Sequence, residues 1–320
     1  MPGLRVSIVT NAKAETAAHT SGLFSSKWEV LLQTEQELAE EIENVHVLIP
    51  GHITVGKDLI ERGKKLKLIH CGTGYNNVDV ETASRRGIYV AVTPNVAATS
   101  VAELVFAMIL TLTKKLLHFD ALMKGGGWKT TDFIGVPELK GKTFGIVGFG
   151  NIGRLAGRIA RGFDMKVLAY DPVIRIQESD VTQCGWEMVL RDADFITLHV
   201  PLTKETTKLI GEQQLRMMKR TAVLVNASRG PVVDERALVQ ALQERRIGGA
   251  CLDVFEKEPL TPDSPLRALD NVLLTPHVAY CANEALAGRY RFFAENCQRL
   301  VDGNAPAMVV NAEAVKASRG

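Results

Sequence analysis

Three polar residues that each follow an apolar, β-rich run carry side chains suited to acid–base chemistry. They are Arg229, Glu258 and His277. An arginine can grip a carboxylate with two parallel hydrogen bonds, and a histidine can donate a proton near neutral pH. A carboxylate that holds the second imidazole nitrogen stabilises the imidazolium. Such a set suits the reduction of a 2-keto acid, or the reverse reaction, when a hydride donor lies nearby.

Each of the three residues also has a plain structural interpretation. Arg229, before a glycine, suits a surface ion pair; Glu258, before a proline, suits a solvated loop; His277, after a proline, suits a loop histidine held by neighbours. Their common position at predicted strand ends favours a shared site, because ligands bind outside the carboxyl ends of strands in open α/β sheets.

A glycine-rich turn is the strongest local pattern. GFGNIG at 148–153 stands between a β-rich run and an amphipathic helix. Gly148 permits the tight turn, Gly150 lets the backbone approach a pyrophosphate, and Gly153 lets the helix approach the strand, with the helix N-terminus facing the phosphates. Asp171 ends the next predicted strand, where a carboxylate receives ribose hydroxyls and repels a 2′-phosphate. We therefore predict NAD as the cofactor; helix capping is the alternative for Asp171.

The elements that must position these residues alternate between β-rich and helical segments, which is typical of α/β layers around parallel sheets. The predicted strands are Arg5–Thr10, Glu29–Gln33, His46–Pro50, Leu66–Cys71, Tyr89–Val92, Thr143–Gly148, Lys166–Tyr170, Phe195–Val200, Ala222–Ala227, Ala250–Val254 and Val272–Leu274. The predicted helices are Gln36–Glu43, Val55–Lys65, Ser100 to about Lys124, Gly150–Gly162, Glu187–Arg191, Glu212–Lys219, Glu235–Arg245 and Asn283–Asp302. The long helix is predicted to open on a capping box of Ser100 and Glu103.

Composition narrows the class of protein. A chain of 320 residues exceeds what one core usually serves, so we expect two domains. The net charge of +2 argues against a dedicated nucleic-acid or membrane surface. The five cysteines form no CxxC pair, so we expect reduced thiols in the cytoplasm and no metal site. The apolar stretch Val101–Leu112 is interrupted by Glu103 and is too short to span a bilayer.

Five motifs together carry a specific family resemblance over essentially the whole chain. They are GFGNIG at 148–153, LHVPLT at 198–203, NASRG at 226–230, LDVFEKEPL at 252–260 and TPH at 275–277. With them the chain resembles the D-isomer-specific 2-hydroxyacid dehydrogenases, the family of D-lactate and D-3-phosphoglycerate dehydrogenases and hydroxypyruvate/glyoxylate reductases. The resemblance implies two Rossmann-like or flavodoxin-like domains with parallel sheets. The NAD-binding domain, 99–287, would be inserted into a substrate domain split into 1–98 and 288–320, and the protein would be a homodimer.

The resemblance also implies a role for individual residues. Arg229, Glu258 and His277 would be catalytic, with His277 as the acid/base. The implied cofactor-binding residues are Thr99, Gly148, Gly150, Asn151, Ile152, Gly153, Asp171, Val200, Pro201, Thr206, Ala227, Ser228, Arg229, Asp253 and His277. The implied substrate-binding residues are Gly72, Thr73, Gly74, Arg229 and His277. Asp253 would lie by the nicotinamide carboxamide, with a strand cap as its alternative.

The implied activity is NAD-dependent interconversion of a small D-2-hydroxy acid and its 2-keto acid. The alternatives are an NAD-regulated binding protein similar to the corepressors of the same superfamily, or a dehydrogenase of formate or phosphite. The sequence leaves open which acid is used and in which direction. Tyr280 suits either a place in the site or plain packing, and no contact is assigned to Trp128.

Overall fold

The computed structural model of the protein describes residues 3–93, 95–128 and 136–319. The strands are β1 (Arg5–Val9), β2 (Glu29–Gln33), β3 (Val47–Ile49), β4 (Leu68–His70), β5 (Tyr89–Ala91), β6 (Thr143–Val147), β7 (Lys166–Tyr170), β8 (Thr182–Gln183), β9 (Phe195–Leu198), β10 (Val223–Asn226), β11 (Gly249–Leu252) and β12 (Val272–Leu274). The helices are α1 (Lys13–Thr20), α2 (Glu35–Glu41), α3 (Lys57–Arg62), α4 (Val80–Arg85), α5 (Ala98–Thr113), α6 (Leu116–Lys124), α7 (Asn151–Gly162), α8 (Trp186–Asp192), α9 (Glu212–Met217), α10 (Glu235–Gln243), α11 (Asn283–Val301) and α12 (Ala312–Arg319). Within the described residues, no helix combines the length and apolar character needed to cross a bilayer.

The chain divides into two compact units, one of which is inserted into the other. The first comprises Met1–Val96 with Ala282–Gly320, and the second comprises Ala97–Cys281. Each unit holds one sheet of parallel strands, five-stranded in the first and seven-stranded in the second. The predicted α/β class, with two parallel sheets and one domain inserted into a split one, is confirmed.

The sheet of the first unit has the strand order β2-β1-β3-β4-β5. Apolar side chains of its central strands are fully buried: Val47 and Leu48 of β3 and Leu68 of β4 are each 0% exposed. Strands covered on both faces read as continuous apolar runs, and this is why they were recognisable in the sequence. The C-terminal tail closes this unit: the Val310 N–H donates to the carbonyl of Val90 at 2.9 Å.

The sheet of the second unit has the strand order β12-β11-β10-β9-β6-β7-β8. The order reverses between β6 and β9, because β7 and β8 extend the sheet to one side of β6 and the later strands extend it to the other. Ligands bind at such a switch point, outside the carboxyl ends of the strands. The residues that follow β6, β7 and β9–β12 therefore lie along one edge.

The predicted long helix is wrong in two respects. It is divided into α5 and α6 by Lys115, whose φ of +53° lies in the left-handed region and breaks the helical path. Ser100 does not cap it, because the helix begins earlier, with Ala97 as its N-cap residue. The Ser100 hydroxyl instead donates to the carbonyl of Ala279.

Four short elements, α1, α4, β8 and α12, were not predicted. The start of α4 carries a signal in the sequence, because the Asp79 carboxylate accepts the Thr82 N–H at 2.9 Å and so caps the helix. The other three are short and largely exposed, so their apolar periodicity is weak.

Two buried histidines predict a fall in stability under mild acid. Burial lowers the pKa of both His70 and His199 to about 4, and for His70 the hydrogen bond to the Cys71 carbonyl partly opposes this. The unfolded chain, with histidine pKa values near ~6.5, takes up these protons first as the pH falls. Between pH 7 and pH 5 each histidine should therefore remove about 2 kcal/mol of unfolding free energy.

Urea unfolding at the two pH values measures this loss. We expect His70→Gln to flatten the pH dependence of the first unit, and His199→Gln that of the second. The control is His118→Gln, because His118 is exposed. An unchanged pH dependence in both buried-site variants would show that these histidines are not the source.

Candidate active site

The glycine-rich turn between β6 and α7 is shaped by its three glycines in different ways. Gly148 has a φ of +93°, and a Cβ there would lie 2.8 Å from the backbone of His199. A Cβ at Gly153 would lie 2.3 Å from the carbonyl oxygen of Gly148. A Cβ at Gly150 would meet nothing within 4 Å. Protein packing therefore requires the first and third glycines, whereas Gly150 faces open space beside an uncapped helix start, the arrangement that a pyrophosphate needs.

This difference makes Gly150→Ala a selective test of phosphate binding. Because the added methyl meets no protein atom, we expect an unchanged Tm. The methyl would occupy the space of the pyrophosphate, so the Kd of NADH should rise at least ~10-fold. Gly162→Ala, at the other end of α7 and also in open space, is the matched control. If both variants bind NADH like the wild type, the turn does not hold the pyrophosphate.

Asp171 follows β7 and ties the adjacent loop to the glycine turn. One carboxylate oxygen accepts the N–H of Phe149 at 2.8 Å, and the other accepts those of Val173 at 2.9 Å and Ile174 at 2.8 Å. Burial would raise the pKa of Asp171, but these donors and the charge of Arg154 together lower it. The carboxylate is thus held ionised beside the turn. The carboxylate therefore caps backbone N–H groups, which was the alternative role for Asp171. Its contact with the ribose hydroxyls stays a prediction.

The residues after β10 hold Arg229 in place. Asn226 is 1% exposed; its Oδ1 accepts from the N–H and hydroxyl of Ser228, and its Nδ2 donates to the Arg229 carbonyl at 2.9 Å. A Cβ at Gly230 would lie 1.8 Å from the carbonyl oxygen of Phe255, so only glycine lets these two loops meet. The sequence analysis gives Asn226 no role of its own. An asparagine that ends an apolar strand is nevertheless a signal that a sequence shows.

The Arg229 guanidinium is half-buried and lies in the field of Glu258. Burial lowers its pKa, and the charge of Glu258 opposes that change. Its Nη1 donates to the carbonyl of Ser228 at 2.6 Å. Arginine stays protonated in proteins, so this is a fixed positive charge with further donors for an anion.

His277 and Glu258 form a short hydrogen-bonded pair. The His277 Nδ1 lies 2.7 Å from Glu258 Oε2, and the side chains are 25% and 34% exposed. Glu258 Oε1 accepts the Phe255 N–H at 3.1 Å, which orients the carboxylate. Because a carboxylate accepts at Nδ1, we assign the ring proton to Nδ1, and Nε2 is left to exchange a proton with a ligand.

Asp253 holds the His277 loop in an unusual backbone conformation. His277 has a φ of +54°, which is uncommon for a residue with a side chain and occurs at functional sites. The fully buried Asp253 carboxylate accepts from the Thr275 hydroxyl at 2.6 Å, from the Val278 N–H at 2.9 Å and from the Ala279 N–H at 3.0 Å. Asp253 is therefore a positioning residue for the loop. Its predicted contact with the nicotinamide stays untested.

Tyr280 contacts the His277 ring edge-on, with the ring centroids 6.0 Å apart. This places it at the site, whereas Trp128 is 73% exposed.

The Thr206 hydroxyl donates to the Pro201 carbonyl and shapes the turn after β9. Thr99 lies in the first turn of α5.

The predicted substrate-binding residues Gly72, Thr73 and Gly74 belong to the first unit, in the loop that follows β4. The remaining predicted residues lie along the carboxyl edge of the second sheet: Asn151, Ile152, Val200, Pro201, Ala227 and Ser228.

One sheet edge thus presents a glycine turn, an ionised aspartate, a guanidinium and a histidine–glutamate pair. The turn fits a dinucleotide, since Gly150 leaves open the space that a Cβ would take. These features define a nicotinamide-dependent dehydrogenase.

Comparison with known proteins identifies the family. The model of the NAD-binding domain of D-isomer specific 2-hydroxyacid dehydrogenases matches residues 106–279. A glyoxylate reductase of Korarchaeum cryptofilum is 42% identical over 270 residues, which are 82% of this chain and 81% of that protein. A second glyoxylate reductase, from Thermococcus litoralis, is 41% identical over 293 residues, 88% of this chain and 87% of that protein. The chain belongs to the D-isomer specific 2-hydroxyacid dehydrogenase family.

A solved structure supports the same conclusion. The D-lactate dehydrogenase of Aquifex aeolicus, complexed with NAD and lactic acid, superposes with a TM-score of 0.81 at 29% identity and covers 98% of this chain and 97% of its own. The predicted family, the NAD-dependent oxidoreductase class and NAD as cofactor are confirmed, in preference to the alternatives.

Proposed function

We propose that His277 moves the proton while this dehydrogenase interconverts a small D-2-hydroxy acid and its 2-keto acid. The observation that carries the proposal is the 2.7 Å pair of His277 Nδ1 and Glu258, on a loop that Asp253 holds. The pair supports Nε2 as the nitrogen that exchanges the proton with the substrate, and a carboxylate beside Nδ1 would stabilise the imidazolium.

In the direction of reduction, the residues divide the work. Arg229 binds the substrate carboxylate. Its positive charge also stabilises the negative charge that develops on the carbonyl oxygen. When bound, NADH supplies a hydride to C2. His277 Nε2 donates a proton to the carbonyl oxygen, which becomes the hydroxyl, and Glu258 holds the imidazolium until the neutral ring forms. In oxidation, Nε2 takes the same proton back.

We further propose the predicted division of binding between the units. The second unit would hold NAD through the glycine turn at 148–153, with Asp171 on the ribose hydroxyls and the strand ends from Val200 to Asp253 along the cofactor. The first unit would bind the substrate carboxylate with the backbone N–H groups at 72–74. These assignments are those that the sequence predicts.

For the substrate we propose a small 2-keto acid of the glyoxylate type, since both relatives compared above are named glyoxylate reductases. The test is a panel of 2-keto acids with NADH and with NADPH, followed by nicotinamide absorbance. We expect turnover with NADH of at least one small 2-keto acid. If formate or phosphite reduces NAD while no 2-keto acid oxidises NADH, the proposal fails.

We also propose a cytoplasmic homodimer. Helix α6 has no buried residue and exposes Leu116 and Leu117, at 50% and 62%, and Met123, at 51%. Clustered exposed apolar side chains are typical of an interface.

The thiols Cys71, Cys251 and Cys297 are buried, and burial raises the pKa of each, as suits a protein that keeps its cysteines reduced.

Sedimentation velocity of the wild type and of Leu117→Glu tests the dimer. We expect the wild type to sediment as a dimer and Leu117→Glu as a monomer. A monomeric wild type would contradict the proposed dimer.

A further inference from the structure

The loop that joins β7 to β8, residues 171–181, is fastened to helix α7 by two ion pairs. The Arg154 guanidinium pairs with the Glu178 carboxylate, and the Arg161 guanidinium pairs with the Asp180 carboxylate. Arg154 directly follows the glycine turn, near the N-terminus of α7, whereas Arg161 lies in the last turn of the helix. The first pair is therefore the one beside the predicted cofactor site.

The Arg154 side chain also lies close to Asp171. Its central guanidinium carbon is 5.0 Å from the centre of the Phe149 ring, and the Phe149 N–H donates to the Asp171 carboxylate at 2.8 Å. Burial would raise the pKa of Asp171, and the charge of Arg154 is among the influences that bring it below its usual range. The guanidinium can therefore act on a group that is bound at Asp171.

Glu178 is held in a defined position. Its Oε1 accepts from Arg154, and its Oε2 accepts the Gln177 N–H at 3.1 Å. Burial would raise the pKa of Glu178, but the nearby backbone N–H groups and Arg154 lower it, so the carboxylate is ionised at neutral pH. The loop around it is fixed by Gln183, whose side-chain amide donates to the Ile174 carbonyl at 3.1 Å. The charge of Arg154 is thus already engaged by the protein.

This engagement matters for the choice between the two nicotinamide cofactors. NADPH carries a phosphate on the 2′ oxygen of the ribose, and an arginine near that ribose is the usual way to accommodate it. Arg154 has the charge and the location for this role. To bind the phosphate it would have to leave Glu178, whose carboxylate would then stand unpaired near a second negative group.

We propose that Glu178 is a specificity-determining residue, which favours NADH by keeping Arg154 from the 2′-phosphate of NADPH. Asp171 rejects the phosphate through its own charge, whereas Glu178 acts by occupying a cation. This inference rests on the place of Asp171 at the ribose, which is part of the proposed function, and makes the cofactor preference more specific.

Fluorescence titration with NADH and with NADPH, in the absence of any keto acid, tests the proposal. Glu178→Gln keeps the length of the side chain but removes the charge that holds Arg154. We expect the Kd of NADPH to fall about 5- to 10-fold in this variant, while the Kd of NADH changes less than about twofold. Adding Arg154→Gln to Glu178→Gln should abolish the gain, which separates Arg154 from Arg175, an exposed arginine of the same loop.

Asp180→Asn is the matched control. It removes the other ion pair between the loop and α7, at the end of the helix away from the glycine turn, and leaves the pair of Arg154 and Glu178 intact. We expect both Kd values to stay within about twofold of the wild type. The Tm of each variant, measured without cofactor, checks that the fold is retained.

Four results would overturn the proposal. They are a wild type that binds NADPH as tightly as NADH, an unchanged ratio of the two Kd values in Glu178→Gln, an equal shift of the ratio in Asp180→Asn, and a gain that survives the addition of Arg154→Gln.

Asp171→Ala separates this inference from the proposed function. A shift of the ratio in Asp171→Ala but not in Glu178→Gln would leave the ribose assignment standing and reject the role of Glu178. The opposite pattern, with the gain of Glu178→Gln lost on adding Arg154→Gln, would support the role of the ion pair and reject the assignment of Asp171 to the ribose.

Discussion

His277→Asn is expected to lower kcat for keto-acid reduction by about 10²- to 10⁴-fold, the range that a positioned general acid contributes. Asparagine suits the test because it tolerates the left-handed backbone better than most residues, and His277 has a φ of +54°. The loop should therefore keep its three hydrogen bonds to Asp253, and the Kd of NADH should change little. Stopped-flow measurement of NADH oxidation in a single turnover separates the chemical step from product release.

Two further variants serve as controls for this prediction. Glu258→Gln keeps a hydrogen-bonding side chain but removes the charge that stabilises the imidazolium, so its loss should be substantial and smaller than that of His277→Asn. Tyr280→Phe keeps the edge-on ring contact with His277 and should retain most of the activity. A kcat of His277→Asn within a few-fold of the wild type would exclude His277 as the acid.

Arg229→Ala should lower kcat/KM for the keto acid by about 10²- to 10⁴-fold, because two charge-assisted hydrogen bonds to the substrate carboxylate are lost. NADH binding should stay nearly intact, since the glycine turn and Asp171 lie on other strands of the sheet. Steady-state kinetics with keto acid and fluorescence titration with NADH give the two values.

A lysine at this position separates charge from geometry. Arg229→Lys keeps the positive charge but not the planar fork, so it should recover only part of the loss. Arg175→Ala, on the exposed loop after Asp171, is the control for the removal of an arginine. Equal losses in keto-acid use and NADH binding for Arg229→Ala would contradict its assignment to the substrate.

Much of the site was predictable because its residues follow apolar runs and parallel strands end at one edge. The glycine turn has a sequence pattern with a steric cause, visible in the 2.3 Å that would separate a Cβ at Gly153 from the Gly148 carbonyl. His277 and Glu258 lie 19 residues apart, yet two neighbouring strands bring them together.

Other features depend on tertiary contacts that local patterns do not encode. The anchoring of the His277 loop by Asp253 involves backbone N–H groups 25 and 26 residues away. The break at Lys115 is a left-handed residue inside an apolar pattern that continues across it. The hydrogen bond between the Asn296 amide and His70 Nε2 joins residues 226 apart in the sequence, so no local pattern predicts it.

A crystal structure with NAD and a non-reactive keto-acid analogue tests the central claim most directly. We predict His277 Nε2 within about 3.2 Å of the oxygen that mimics the carbonyl, Arg229 on the carboxylate, and the nicotinamide C4 facing C2. An analogue oxygen that meets neither His277 nor Arg229, with NAD bound at the glycine turn, would contradict the account.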